Sequence, residues 1–188
     1  MLLVQTSVDW VNTVIQDMDT FLLDHAACER KASSMAMSMI CHYPDRAQLV
    51  AAMTDLALEE MQHFRQVMRL ILKRGLVLPP DTKDMYVIGL RDTMRKGREE
   101  FFLDRMLIAS IIEARGAERF QMIADHVQED SLKTFYAAIA RSEEKHYELF
   151  LALAGVYFKE IDIKERLATL LEVEASIVAS LPSRVALH

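Results

Sequence analysis

Apolar residues recur every three or four positions along most of this chain, and no stretch of useful length alternates strictly between apolar and polar. That periodicity predicts helices and no sheet. A first helix is expected over Val8 to Gln16, with Ser7 as its N-cap. After a possible break at "DMDT", a second runs from about Thr20 to Cys41 and stops at "HYPD", before Pro44. Asp45 with Gln48 three residues on reads as a capping-box variant opening a third helix, which extends through Arg74. Lys73 and Arg74 suit the negative end of its dipole, and Gly75 suits the C′ position. A long connection follows, "LVLPPDTKDMYVIGLRDTM", with Pro79, Pro80 and Gly89 and a short turn of helix. Its "YVIGL" is the best strand candidate, too short to pair alone. Further helices are expected at about Gly97 to Val127, Ser131 to Tyr157 and Ile163 to Ala179. The expected fold is all-α. Four long helices form a core bundle with a long crossover between the second and third of them, flanked by N- and C-terminal helices in one domain over residues 1–188.

Composition narrows the partners. The 188 residues are enough for one domain with a real core. A net charge of −6 argues against a generally basic nucleic-acid binder, though not against a local basic face. Twelve methionines suit an adaptable core better than a methionine metal site. Cys28 and Cys41 share one expected helix. At about 1.5 Å per residue they would stand roughly 20 Å apart, too far for a disulfide, so both read as free thiols in a reducing compartment. No signal peptide and no membrane span is expected, which points to the cytoplasm.

The chemistry lies in a repeated spacing. "SEEKHYELF" places Glu143 three residues before His146, on one helical face. "LALEEMQHF" places Glu60 three before His63. Glu59 is a rival for the His63 face, but Ser142 stands at its equivalent in the later copy. Each E-x-x-H follows a lone carboxylate: Glu29 lies 31 residues before Glu60, and Glu113 lies 30 before Glu143. Glu118 is only 25 before Glu143 and breaks the repeat. In an antiparallel four-helix bundle this pattern brings four Glu and two His to one depth. Left uncompensated, such a buried group would be strongly unfavourable. A pair of divalent cations removes the penalty, and ferritin-like di-iron and di-manganese bundles use this ligand set. Four carboxylates and two imidazoles suit iron or manganese better than zinc. Positions left open for oxygen or water suggest redox chemistry.

Other polar residues have plainer readings. His25, one turn before Glu29, would orient it or lie at the surface. Tyr136 shares the Glu143 face and reads as a core aromatic. His42 and His126 fall at helix ends. Arg65, Arg69 and Lys73 form a basic stripe facing away from the His63 side. No acid occurs between Met61 and Pro80, so the stripe is a candidate for phosphate-backbone contact. Arg91, Arg95, Lys96 and Arg98 add positive charge diluted by Asp92, Glu99 and Glu100.

The words "LLDHAACERKA", "LEEMQHF", "RGLVL", "IIEARGAERF" and "SEEKHYELF" narrow the reading further. Over about Trp10 to Tyr157 the chain resembles the family of tRNA hydroxylases that act on 2-methylthio-isopentenyl-adenosine beside the anticodon. The resemblance implies a ferritin-like non-haem di-iron monooxygenase. Glu29, Glu60, His63, Glu113, Glu143 and His146 would bind two iron ions, manganese being the lesser option. It also implies that the isopentenyl group is hydroxylated with O2 and electrons from a separate reductase. No G-x-G-x-x-G fingerprint for a flavin or nicotinamide follows a strand. Where the family pattern reads "EARSCERF", this chain has Gly116 and Ala117, a change beside Glu113. The alternatives are a ferritin-like protein that binds and oxidises iron, and a di-manganese or di-iron peroxidase.

Overall fold

The computed structural model describes residues 2–188. Among them are seven helices and no strand: α1 (Val8–Gln16), α2 (Met18–His42), α3 (Ala47–Lys73), α4 (Met85–Asp92), α5 (Arg98–His126), α6 (Asp130–Tyr157) and α7 (Glu160–Ser180). The all-α expectation holds, and Ser7 caps α1 by accepting from Asp9 N at 3.1 Å. Four local expectations change. The "DMDT" break shrinks to one residue, because Asp17 accepts from Thr20 N and starts α2 at once. The Asp45–Gln48 box does not form: the cap position falls on Arg46, which makes no side-chain cap bond, so Asp45 sits one residue outside it. "YVIGL" is helical within α4, capped by Asp84, which accepts from Val87 N at 3.1 Å. α7 also begins earlier than expected, with Glu160 and Asp162 complementing its positive end.

The chain divides into two compact units. One, residues 16–82 and 185–187, contains the hairpin of α2 and α3. Its core is Phe21, Leu22, Ala26, Ala36 and Met39 from α2 against Leu49, Met53, Leu56, Val67 and Ile71 from α3. α3 ends as expected. Gly75 takes φ +71°, and Gly75 N and Leu76 N donate to Leu72 O and Ile71 O. That pairing closes the last turn and needs a residue without a Cβ cost in the left-handed region.

The other unit, residues 2–15, 83–184 and 188, holds α1, α4, α5, α6 and α7. α5 is its axis. It is buried almost continuously from Phe102 to Ala124, so it lacks the one-sided pattern of a surface helix. Two fully buried charges sit on it. Asp104 is gripped by Arg95 and Arg166, each with a guanidinium nitrogen at 2.7 Å. Arg95 is therefore engaged in the fold rather than forming part of a basic surface. Arg115 is wholly buried with Glu174 of α7, its Nε 2.8 Å from Glu174 Oε1. It also donates to Thr6 Oγ1, Val4 O and Glu118. Tyr86 of α4 donates to the same Glu174 oxygen at 3.0 Å.

Removing one member of a buried pair strands the other, whereas removing both leaves an apolar gap. Arg115→Met or Glu174→Leu alone should lower stability by about 3–5 kcal/mol. The double variant should lose less than either single one; urea denaturation of the three proteins checks this. A pH effect follows from Asp84. Burial favours its neutral form, but bonds to His188 and to the α4 backbone prevail and hold its carboxyl at about 2. With the folded pKa depressed, the stabilisation is complete above the usual carboxylate range and fades as pH falls toward 2. Acid titration of Asp84→Asn against the parent should show a stability gap at pH 6 that closes near pH 2.

Candidate metal centre

Glu60 and His63 occupy the buried stripe of α3, in line with Leu56 above and Val67 below. The three-residue spacing keeps both on the face that packs against α2. From α2, Glu29 joins them; Glu29, Glu60 and His63 are 3%, 1% and 6% exposed. His63 Nδ1 lies 3.4 Å from Glu60 Oε2 and 3.7 Å from Glu29 Oε2. His25, fully buried one turn before Glu29, places Nε2 2.5 Å from Glu29 Oε1. The orienting role expected of His25 fits this contact; a surface position does not. Ser33 Oγ donates to Ala57 O at 2.9 Å and ties the two helices together one turn away.

The electrostatics are those of two acids competing for positive charge. Burial would raise the Glu29 carboxyl, but the charge of His25 and bonds from His25, His63 and Glu60 outweigh it and hold it well below the usual range. Burial likewise disfavours a charged His63, yet Glu29 and Glu60 prevail and push it up to about 10.

The α5–α6 unit builds a second group of the same kind. Glu143 and His146 lie on the buried stripe of α6, between Ile139 and Phe150, and Glu113 faces them from α5. Their exposures are 3%, 3% and 6%. His146 Nδ1 is 3.4 Å from Glu143 Oε2. Ser110 Oγ, one turn before Glu113, donates to Tyr147 O at 3.0 Å and joins the helices. No counterpart of His25 exists, since Ala109 stands there. Glu118 is occupied elsewhere, accepting from Thr6 N and Oγ1. Tyr136 is fully buried and stacked on Phe120 at 5.7 Å, a core aromatic as expected.

Each trio offers two carboxylates and one imidazole whose donor atoms lie within 4.8 Å of one another. The chemistry of this set fits a divalent cation of the iron or manganese kind. In the α2–α3 trio the high His63 value marks a place where a positive charge is demanded, and a metal ion would satisfy that demand in place of the proton. Arg65, Arg69 and Lys73 are exposed on α3. His42 and His126 end α2 and α5, each with Nδ1 on a carbonyl of the preceding turn. Arg115, Glu174 and Asp104 escaped the sequence reading. Their only signal was a charge inside an otherwise apolar stretch, which exposed helix faces also produce.

Comparison with known proteins adds to this geometry. The family model described as "tRNA-(MS[2]IO[6]A)-hydroxylase (MiaE)" matches residues 1–188. A tRNA 2-(methylsulfanyl)-N(6)-isopentenyladenosine(37) hydroxylase of Pseudomonas putida is 35% identical over 95% of this chain and 87% of its own length. One of the same name from Salmonella typhimurium is 34% identical over 84% of this chain, which spans 57% of that relative. A solved structure, "Protein 43 with aldehyde deformylating oxygenase activity from Synechococcus", superposes with a TM-score of 0.95 at 35% identity. It covers 100% of this chain and 94% of its own. The chain is thus of the ferritin-like, all-α class.

Gly116, beside the second trio, replaces a larger residue of the pattern it resembles. A Cβ there would stand 3.9 Å from Phe120 and 4.0 Å from Glu143 Cγ, ordinary contacts. Gly116→Ala should therefore stabilise the helix by about 0.5–1 kcal/mol, raising the thermal midpoint by about 1–4 °C. Metal content, measured by mass spectrometry, should not change.

Proposed function

The chain belongs to the tRNA-(MS[2]IO[6]A)-hydroxylase (MiaE) family, and from that premise we propose that it hydroxylates the isopentenyl side chain of 2-methylthio-isopentenyl-adenosine in tRNA. The observation that carries this reading is the pair of matching buried trios in a member of that family. Glu29, Glu60 and His63 from one unit and Glu113, Glu143 and His146 from the other would together hold two iron ions, the two units acting as one ferritin-like domain. When bound, the metal pair supplies the activation of O2 needed to oxidise an unreactive C–H bond.

The chain's own residues do the rest. Four carboxylates and two imidazoles fix the ions and balance their charge. His25 holds Glu29 in one orientation, so that carboxylate enters the site pre-set. The apolar residues above and below each E-x-x-H exclude water, which strengthens every electrostatic contact inside. Electrons come from a separate reductase. Arg65, Arg69 and Lys73, in a stretch without acids, would meet the phosphates near the anticodon. Work on tRNA by a chain with no helix long and apolar enough to cross a membrane, among the described residues, fits the cytoplasm.

A second reading, deformylation of an aldehyde, is favoured by the Synechococcus structure alone. Nucleoside mass spectrometry of tRNA from cells with and without the protein separates the two. The hydroxylated nucleoside should vanish in its absence and return with the parent gene. It should not return with His63→Ala or Glu143→Ala, whose purified proteins should hold less than the parent's about two irons per chain. An unchanged nucleoside ratio sinks the tRNA reading, and aldehyde turnover in vitro would then support the second. Arg65→Glu with Arg69→Glu should weaken tRNA binding and flatten its salt dependence, with iron content unchanged.

A further inference from the structure

α3 buries one face against α2 and turns a second apolar face outward. Glu60, His63, Val67 and Ile71 lie on the buried side. Nearly opposite them run Leu58, Met61, Arg65, Met68 and Leu72, at steps of three and four residues. Leu58 is 61% exposed, Met61 43% and Leu72 67%, and Met68 is half-buried. Single exposed apolar residues are ordinary on a protein surface. Aligned over about four turns, these occupy the a and d positions of a heptad seam, the pattern by which one helix packs on another. Arg65, the polar member, can lay its methylene stem along such a seam and keep its charge at the edge.

The charges beside the seam select what covers it. Asp55 and Glu59 stand in the N-terminal half of α3, and Arg65, Arg69 and Lys73 in the C-terminal half, all of them exposed. A second copy of α3 laid antiparallel, with Leu58 of each copy against Met68 of the other, matches the two seams layer by layer. The same register sets Asp55 between Arg69 and Lys73 of the other copy, and Glu59 between Arg65 and Arg69. A parallel copy would set acid on acid and base on base. Phosphate contact accounts for the three cations and leaves the apolar line unused, whereas a second copy uses both.

We propose that this face of α3 is a self-association surface, on which a second copy of the chain packs its own α3 antiparallel about a two-fold axis near Gln62 and His63. The contact is isologous, so each pairing across it occurs twice. The seam from Leu58 to Leu72 is about 21 Å long and one helix wide. A contact of that size makes a reversible pair rather than a permanent dimer. Arg65 and Arg69 cannot meet tRNA phosphates and a second copy at once, so the pair closes the surface proposed above for RNA. That last step rests on the tRNA-contact reading of the stripe; the pairing does not.

Sedimentation velocity of the metal-loaded full-length protein, over a series of concentrations, reads the pairing directly. A monomer–dimer equilibrium is expected. Leu58→Glu sets a charge in the seam and should weaken the pair at least about tenfold. Asp55→Arg and Arg69→Asp should each weaken it on the order of fivefold, and the double variant should return toward the parent's affinity. Positions 55 and 69 stand about 21 Å apart along one helix, so only a second copy can supply that rescue. Circular dichroism of these exposed-site variants should match the parent. A monomer at every concentration, a Leu58→Glu dimer of parental affinity, or a double variant no tighter than the singles overturns the proposal. Unmodified tRNA should convert the pair to one protein per RNA. If the pair stays intact with tRNA bound, self-association stands and the RNA docks on another surface.

Discussion

Two helices of each unit bury carboxylates and an imidazole in the stripe where apolar side chains belong. Such a group costs several kcal/mol per unpaired ion, far more than the few tenths that a helical Glu or His costs the backbone. Helix formation therefore tolerates the motif and packing does not, unless positive charge enters. In the α2–α3 trio that demand is visible, since Glu29 stays charged against its own burial and His63 is driven to hold a proton up to about 10. A proton answers the demand for one imidazole. A divalent cation answers it for the whole trio, and binds both acids as ligands while doing so.

The same constraint explains how far the two units resemble each other. Every buried residue of α3 has a buried counterpart 83 positions on in α6: Leu49 and Leu132, Met53 and Tyr136, Leu56 and Ile139, Val67 and Phe150 among them. Glu60 and His63 fall in line with Glu143 and His146 as two more members of that stripe. The lone acids behave alike, because Leu22, Glu29, Ser33 and Met39 of α2 are matched 84 positions on by the buried Met106, Glu113, Ala117 and Ile123 of α5. So the repeat concerns the whole packing face, and the E-x-x-H spacing is the part of it that polar residues make conspicuous.

That is why the two buried trios were legible in the sequence while other features were not. A carboxylate and an imidazole three apart, twice, each at a fixed distance from another acid, has no cause in surface chemistry. The capping box at Asp45 failed for a smaller reason: one residue of shift in the start of α3 moves a cap out of reach, and sequence fixes helix ends only to within a residue or two. Arg95 looked like surface charge because its partner, Asp104, lies nine residues away on another element. His25 was open between orienting Glu29 and facing solvent, and only its burial decided. Arg115 and Glu174 are 59 residues apart, and no local pattern links them.

Those long-range pairs bear on the site through α5. Residues two apart on a helix point about 200° away from each other, so Glu113 and Arg115 look to opposite sides of the same rod. On one side Glu113 meets Glu143 and His146. On the other Arg115 is locked to Glu174 of α7, and Arg119 one turn on to Thr6. A helix held by directional bonds on both sides cannot roll to relieve crowding at either. Apolar packing alone would permit a few degrees of rotation at little cost, because dispersion contacts are numerous and individually weak. The buried arginine thus fixes the rotation of α5 and with it the angle at which the Glu113 carboxylate is presented. The segment "EARGAERF" then reads as one device: a buried acid facing Glu143 and His146, and two buried arginines that hold the acid's helix in place.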